Sequence, residues 1–214
     1  PLRRVDLATI ITRLSAMGAS VIGVDMLLDF NSAYNEDPTL IQAIEAAGNV
    51  LLVSQAEISD DAGYQKTNFA IPKFASVAES GYSNISSNSD LAETMVRLRI
   101  HPEVAERDNG WPFAVKALSM HIGEAPSIQD HQLYIGDEMV AQLDHQNDLY
   151  LDYPRLPRTL DSAGNRARHE EEGIAAGDIL FVDEEELEDL SFLVNGKIVL
   201  IGEVAEVAHD QFET

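Results

Sequence analysis

The sequence predicts an α/β fold: a mainly parallel central sheet flanked by helices on both faces, a Rossmann-like three-layer arrangement, with an antiparallel hairpin added. Three observations predict it. The segments at residues 21–28, 49–55 and 197–202 are almost unbroken apolar runs, the composition of strands covered on both faces. Helical periods of apolar residues precede or separate them. The first two runs and the helix between them occupy about 35 residues, the length of a strand–helix–strand unit with parallel strands.

Leu7, Ile10, Ile11, Leu14 and Met17 recur at helical spacing, and Gly18 supplies a stop before the first strand. Asp37-Pro38 reads as a helix N-cap followed by proline at the first helical position, Leu40, Ile41 and Ile44 form the apolar stripe, and Gly48 closes the helix. Turn residues cluster at 59–63, and strands are expected at 77–83 and 93–99. Val115, Leu118 and Ile122 mark a further helix ending at Gly123, and Gly136-Asp137-Glu138 joins two short strands as a hairpin. A strand is expected at 149–153, and the stretch 147–177, with Pro154, Pro157 and Gly164, reads as a mobile surface loop. Asp183 and Glu186 form a capping box whose acidic first turn complements the helix dipole, so Glu184, Glu185 and Glu186 are structural. Asn195-Gly196 turns into the last buried strand.

With 214 residues, 1–214 read as a single domain that can bury a core without disulfides or metal. The 37 acidic and 14 basic residues leave a formal charge of −23, which repels nucleic acid and anionic lipid headgroups. There is no cysteine, hence no disulfide framework and no thiolate chemistry. No apolar run approaches the length of a membrane span, and the sequence, starting at Pro1, reads as a piece of something longer.

Motifs for catalysis and cofactors are missing from the sequence. Neither a phosphate-binding glycine loop nor a G-x-S-x-G elbow occurs, and the six histidines show no ligand spacing, so no catalytic residue, metal ligand or cofactor is assigned. Residues 29–37 are rich in oxygen donors but fail the calcium-loop pattern at Ala33 and lack its glycine. Asp25 and Asp29 lie where open α/β sheets gather ligands; Asp25 either bonds backbone amides or, with Asp29, does acid–base work. The candidate ligand cleft at the strand C-termini uses Asp29, Gln55, Asn84, Arg97 and Glu203. Arg97 either holds an anion bidentately or forms an internal salt bridge.

The order of the segments resembles that of the type-two CHASE domains, extracellular sensory modules of bacterial cyclases, histidine kinases and related receptors. The resemblance rests on Gly18-Ala19-Ser20-Val21-Ile22-Gly23-Val24-Asp25, on residues 37–53, on Gly81-Tyr82-Ser83-Asn84, on Arg97, on residues 111–118, on Leu149-Tyr150-Leu151-Asp152-Tyr153, and on Gly196-Lys197-Ile198-Val199-Leu200-Ile201-Gly202 with Asp210 and Thr214. Pro154 departs from the family pattern. The resemblance implies a non-catalytic sensor on the periplasmic or extracellular face of the bacterial inner membrane. It also implies flanking transmembrane segments, a cytoplasmic cyclase or kinase output, and a homodimer formed through the full-length receptor. Its partner would be a small ligand or another protein, and it would touch the membrane only through its flanks. Two rival readings are a stand-alone α/β hydrolase using Asp25 or Asp29 as base, and a ligand-free dimerisation or interaction module.

Overall fold

The computed structural model describes residues 2–59, 63–68, 70–83, 86–87, 96–100, 102, 105, 110–151 and 174–202. Helix α1 (Arg4–Ala16) leads into strand β1 (Val21–Val24), helix α2 (Asp37–Ala47) and strand β2 (Val50–Ser59). Then come β3 (Gly63–Asn68), the short helix α3 (Pro72–Ala75), β4 (Glu79–Tyr82), β5 (Ser86–Ser87) and β6 (Val96–Arg99). Helix α4 (Phe113–Ile122) is followed by β7 (Pro126–Gln129), β8 (Gln132–Ile135), β9 (Glu138–Gln142) and β10 (Asp148–Leu151), and the described chain ends with α5 (Ala176–Phe181), α6 (Glu184–Val194) and β11 (Ile198–Ile201).

Strands β11, β1, β2 and β4 are parallel, and β3 pairs antiparallel with the far half of β2. The period-two geometry of a strand divides the apolar run of β1 between two cores. Ile22, Val24, Val50 and Leu52 face the core built with α1 and α2, to which α6 adds Leu187, Leu190 and Val194. Val21, Leu51 and Ile198 face the opposite way, onto Phe113, Ala117 and Met120 of α4. Helices therefore cover both faces of the sheet, as the sequence predicts.

Helix α4 is apolar on two sides because it is covered on two sides. Val115 and Leu118 turn away from the parallel sheet and pack with Trp111, Leu133, Ile135 and Leu143. The antiparallel β7–β8–β9 sheet that supplies Leu133 and Ile135 contains the predicted hairpin, with Gly136 at φ +60° between β8 and β9. It also contains β7, which the sequence reading missed. Asp130 and His131 make that turn with φ of +48° and +58°, the two-residue geometry usually given by Asn-Gly. A third sheet, β10–β6–β5, is antiparallel. Tyr82 joins it to the parallel sheet: its ring is buried and its hydroxyl donates to the Arg99 carbonyl at 2.7 Å.

Close approach of α4 depends on two glycines. A Cβ at Gly81 would lie 2.6 Å from the Phe113 Cα, and one at Gly23 would lie 2.8 Å from the Phe113 Cζ and 2.7 Å from Leu200 Cδ2. The Gly81 contact is with backbone that cannot give way, so β4 can carry no side chain there, whereas at Gly23 the ends of the Phe113 and Leu200 side chains would have to shift.

Four expectations need correction. Strand β1 stops at Val24 rather than at residue 28; Leu28 is still buried, but in the helix core, not the sheet. Helix α2 begins at Asp37 with Glu36 as N-cap, so Asp37 is one position inside, and its side chain is directed elsewhere. Strand β11 is not fully buried: Leu200 is 64% exposed. Finally, the expected loop is too long at both ends: the strand expected at 149–153 is present as 148–151, and α5 begins at Ala176, whereas residues 152–173 lie outside the described residues. By contrast, Gly18, Gly48, Gly123 and Gly196 all adopt positive φ where stops and turns are expected, and Asp183 accepts from the Glu186 amide at 2.9 Å.

Gly81→Ala is expected to destabilise the fold by about 2–3 kcal/mol through overpacking against backbone. Gly48→Ala, with open space around it and only its φ of +68° to oppose a side chain, is expected to cost about 1 kcal/mol. Urea midpoints of the two variants check the order; equal losses would refute the close-approach account.

Candidate functional site

The four parallel strands end at one edge of the sheet, the edge at which open α/β sheets collect ligands. Beyond β1 the Asp25 amide still donates to the Ile201 carbonyl at 2.8 Å, and the chain then leaves the sheet. Residues 25–36 cross this edge and are held at their middle by the Ile71 amide, which donates to the Leu28 carbonyl at 2.9 Å. Asp29, Phe30 and Tyr34 face solvent from the segment.

The segment ends on a buried ionic cluster. Asp37, only 4% exposed, receives the Ser32 amide at 3.0 Å, the Lys73 ammonium of α3, and the Arg4 guanidinium of α1 at 3.0 Å. Arg4 is itself 8% exposed. Its Nη1 meets Asp37 as an ion contact without a directed hydrogen bond, while its Nη2 donates to the Phe30 carbonyl and its amide donates to Glu36 Oε2 at 3.1 Å. The guanidinium also lies over two rings, with its carbon 5.2 Å from the Phe30 centroid and 5.1 Å from that of Phe74. Burial alone would raise the Asp37 carboxyl, but the Lys73 hydrogen bond, the Ser32 amide and the two cationic charges hold it below the usual carboxylate range.

A second cluster stabilises the antiparallel part. Arg99 binds Asp148 through Nε at 2.8 Å and Nη2 at 3.0 Å, a bidentate pair whose carboxylate is fully buried. Asp144 receives the amides of Gln146 at 2.8 Å and Asp148 at 2.9 Å and the Tyr150 hydroxyl at 3.1 Å. Burial opposes these donors, yet together with His145 they keep the Asp144 carboxyl low. This is the geometry of a turn, with Asn147 at φ +61°.

Of the five candidate ligand residues, Asp29 lies in the exposed segment at the strand C-termini, and Gln55 lies where β2 passes from its parallel partners to β3. Arg97 lies on β6, opposite Tyr150 and Ser86, in an antiparallel sheet separate from the parallel one. Asn84 and Glu203 lie outside the described residues. For the hydrolase reading, a serine–histidine pair does exist: Ser20 Oγ and His121 Nδ1 are 2.7 Å apart. It lies before β1, whereas Asp25 lies after it, roughly 16 Å away along an extended strand. Sequence reading missed Arg4 and Lys73. A signal for Arg4 was present, since it continues the buried stripe of Leu7, Ile11 and Leu14 one turn toward the helix start.

Stability contributed by Asp37 is present above the unfolded carboxylate value of about 3.9 and is lost as pH falls through its lower folded value. Asp37→Asn is expected to remove about 3–5 kcal/mol near neutral pH, because Arg4 is left buried without a counter-charge. It is also expected to flatten the acid limb of the stability profile. Urea midpoints measured from acid to neutral pH check both; parallel profiles for variant and wild type would contradict the assignment.

Among the described residues no helix is long and apolar enough to cross a membrane. No curated protein and no solved structure matches the chain. The family model of the CHASE2 domain matches residues 1–214, the whole length. With a sheet, two covering helix layers and a motif order that this match spans from end to end, the chain belongs to the CHASE2 family of extracellular sensory domains.

Proposed function

We propose that this chain receives a signal outside the cytoplasmic membrane and passes it, through flanking membrane segments, to a cytoplasmic nucleotide cyclase or kinase. The observation that carries the reading is the family match over the whole chain. The geometry supports the same reading: the exposed segment 25–36 crosses the sheet edge suited to a ligand, and the serine–histidine pair stands at the opposite end of β1 from Asp25. In this proposal Asp29 and Gln55 face the ligand, with Asn84, Arg97 and Glu203 as further candidates, and the ligand is a small molecule or a partner protein. Two copies act together through the full-length receptor. Signalling requires that the ligand bind one of two arrangements more tightly than the other.

Protease added outside intact spheroplasts is expected to cleave the full-length protein within this chain; protection until the membrane is lysed would overturn the receptor reading. For the isolated chain, the charge of −23 makes self-repulsion the dominant long-range term, so its melting temperature is expected to rise as salt is added. A melting temperature unchanged or falling with salt would refute that account of its charge.

A further inference from the structure

Among the described residues, the contacts that hold the Arg4 guanidinium come from outside its own helix: the Phe30 carbonyl and ring from the segment after β1, Asp37 from α2, and the Phe74 ring from α3. The Arg4 amide, one of the donors that the first turn of a helix cannot satisfy internally, is taken by Glu36. The Asp37 carboxylate that faces Arg4 also fixes the Ser32 amide and Lys73. The first turn of α1 and the segment 25–36, whose Asp29, Phe30 and Tyr34 face solvent, are thus joined by one buried ionic cluster, while the N-cap Arg3 pairs with Asp6 of its own helix. Breaking a buried ion pair costs more than the coupling free energy typical between two sites. A displacement of residues 30–32 therefore either breaks these contacts or carries the start of α1 with it.

The geometry points to Arg4–Asp37 as a latch that couples residues 25–36 to the first turn of α1. As a means of signal transmission this rests on the sensory reading above; as a mechanical coupling it stands on the contacts alone. It assigns Arg4 the transmitting role, Asp37 the junction that joins Ser32 to Arg4, and Lys73 the role of a second partner that holds Asp37 from the α3 side. Phe74, fully buried, lies beneath the guanidinium, and the Glu36 carboxylate takes the Arg4 amide beside it.

Hydrogen exchange of the 214-residue chain tests the latch without any ligand. Ser32→Pro removes the amide that holds Asp37 from the segment side and touches no residue of α1. The expected result is about tenfold faster exchange in the first turns of α1, within the range of coupling between linked sites, with β1 and β2 unchanged. In an Arg4→Met background the same change is expected to leave α1 unaffected. If Ser32→Pro prevents folding, Lys73→Met loosens Asp37 from the α3 side and serves the same comparison. Faster exchange confined to residues 25–36, faster exchange throughout β1 and β2, or an effect on α1 that persists without Arg4 would each overturn the latch. Protease protection on spheroplasts would sink the receptor reading and leave this exchange result intact, so the two failures are distinguishable.

Discussion

The approach of Phe113 to the backbone of the parallel sheet is the constraint on which the rest of the architecture depends. Helix α4 stands between two apolar layers, and its position fixes where the second core and the antiparallel sheets lie. The missing side chain at Gly81 allows the helix backbone that position, and the one at Gly23 leaves room for the Phe113 ring and Leu200. The glycines of two segments that resemble the family pattern thus acquire a physical reason: one lets the Phe113 ring and Leu200 close over β1, the other lets the helix backbone settle on β4. Tyr82, next to Gly81, then ties the same strand to the Arg99 carbonyl, so one dipeptide sets both the depth of the helix and the attachment of the neighbouring sheet.

The parallel layer was legible because burial on both faces leaves a strong compositional trace and because glycine at positive φ marks where helices stop. What failed was the reading of edges. Residues 21–28 are apolar except at Asp25, but composition reports burial and not pairing, so it does not show that Met26 and Leu28 pack into the core after the ladder has ended. Strand β7 begins with Pro126, which lacks a donor, and turns through Asp130-His131, a pair without the usual hairpin signature. Leu200 was expected inside because its neighbours are apolar, yet strand geometry places it on the other face from Val199 and Ile201, where cover is incomplete.

The candidate site was legible only in outline. The sequence reads Asp37 as the N-cap of α2, but Glu36 takes that place, and the Asp37 carboxylate serves Ser32, Lys73 and Arg4 instead of the amides of its own helix. No local pattern announces that role, because the three partners come from residues 32, 73 and 4, and only the fold brings them together. Arg4 left the clearer trace, a cation on an otherwise apolar helical stripe, and such a residue demands a buried counter-charge somewhere in the chain.

The internal use of cations reaches beyond the site. Arg4, Arg13, Lys73, Arg99 and Lys116 are all turned to partners within the protein, Arg13 to the carbonyls of Ile179 and Val182 at the end of α5. With 37 acidic residues against 14 basic ones, the molecule keeps a large negative charge and gathers an atmosphere of counterions. Two copies meeting in dilute electrolyte repel before their surfaces touch. Any pairing of such domains has to overcome that repulsion, which the high effective concentration of side-by-side tethering would offset.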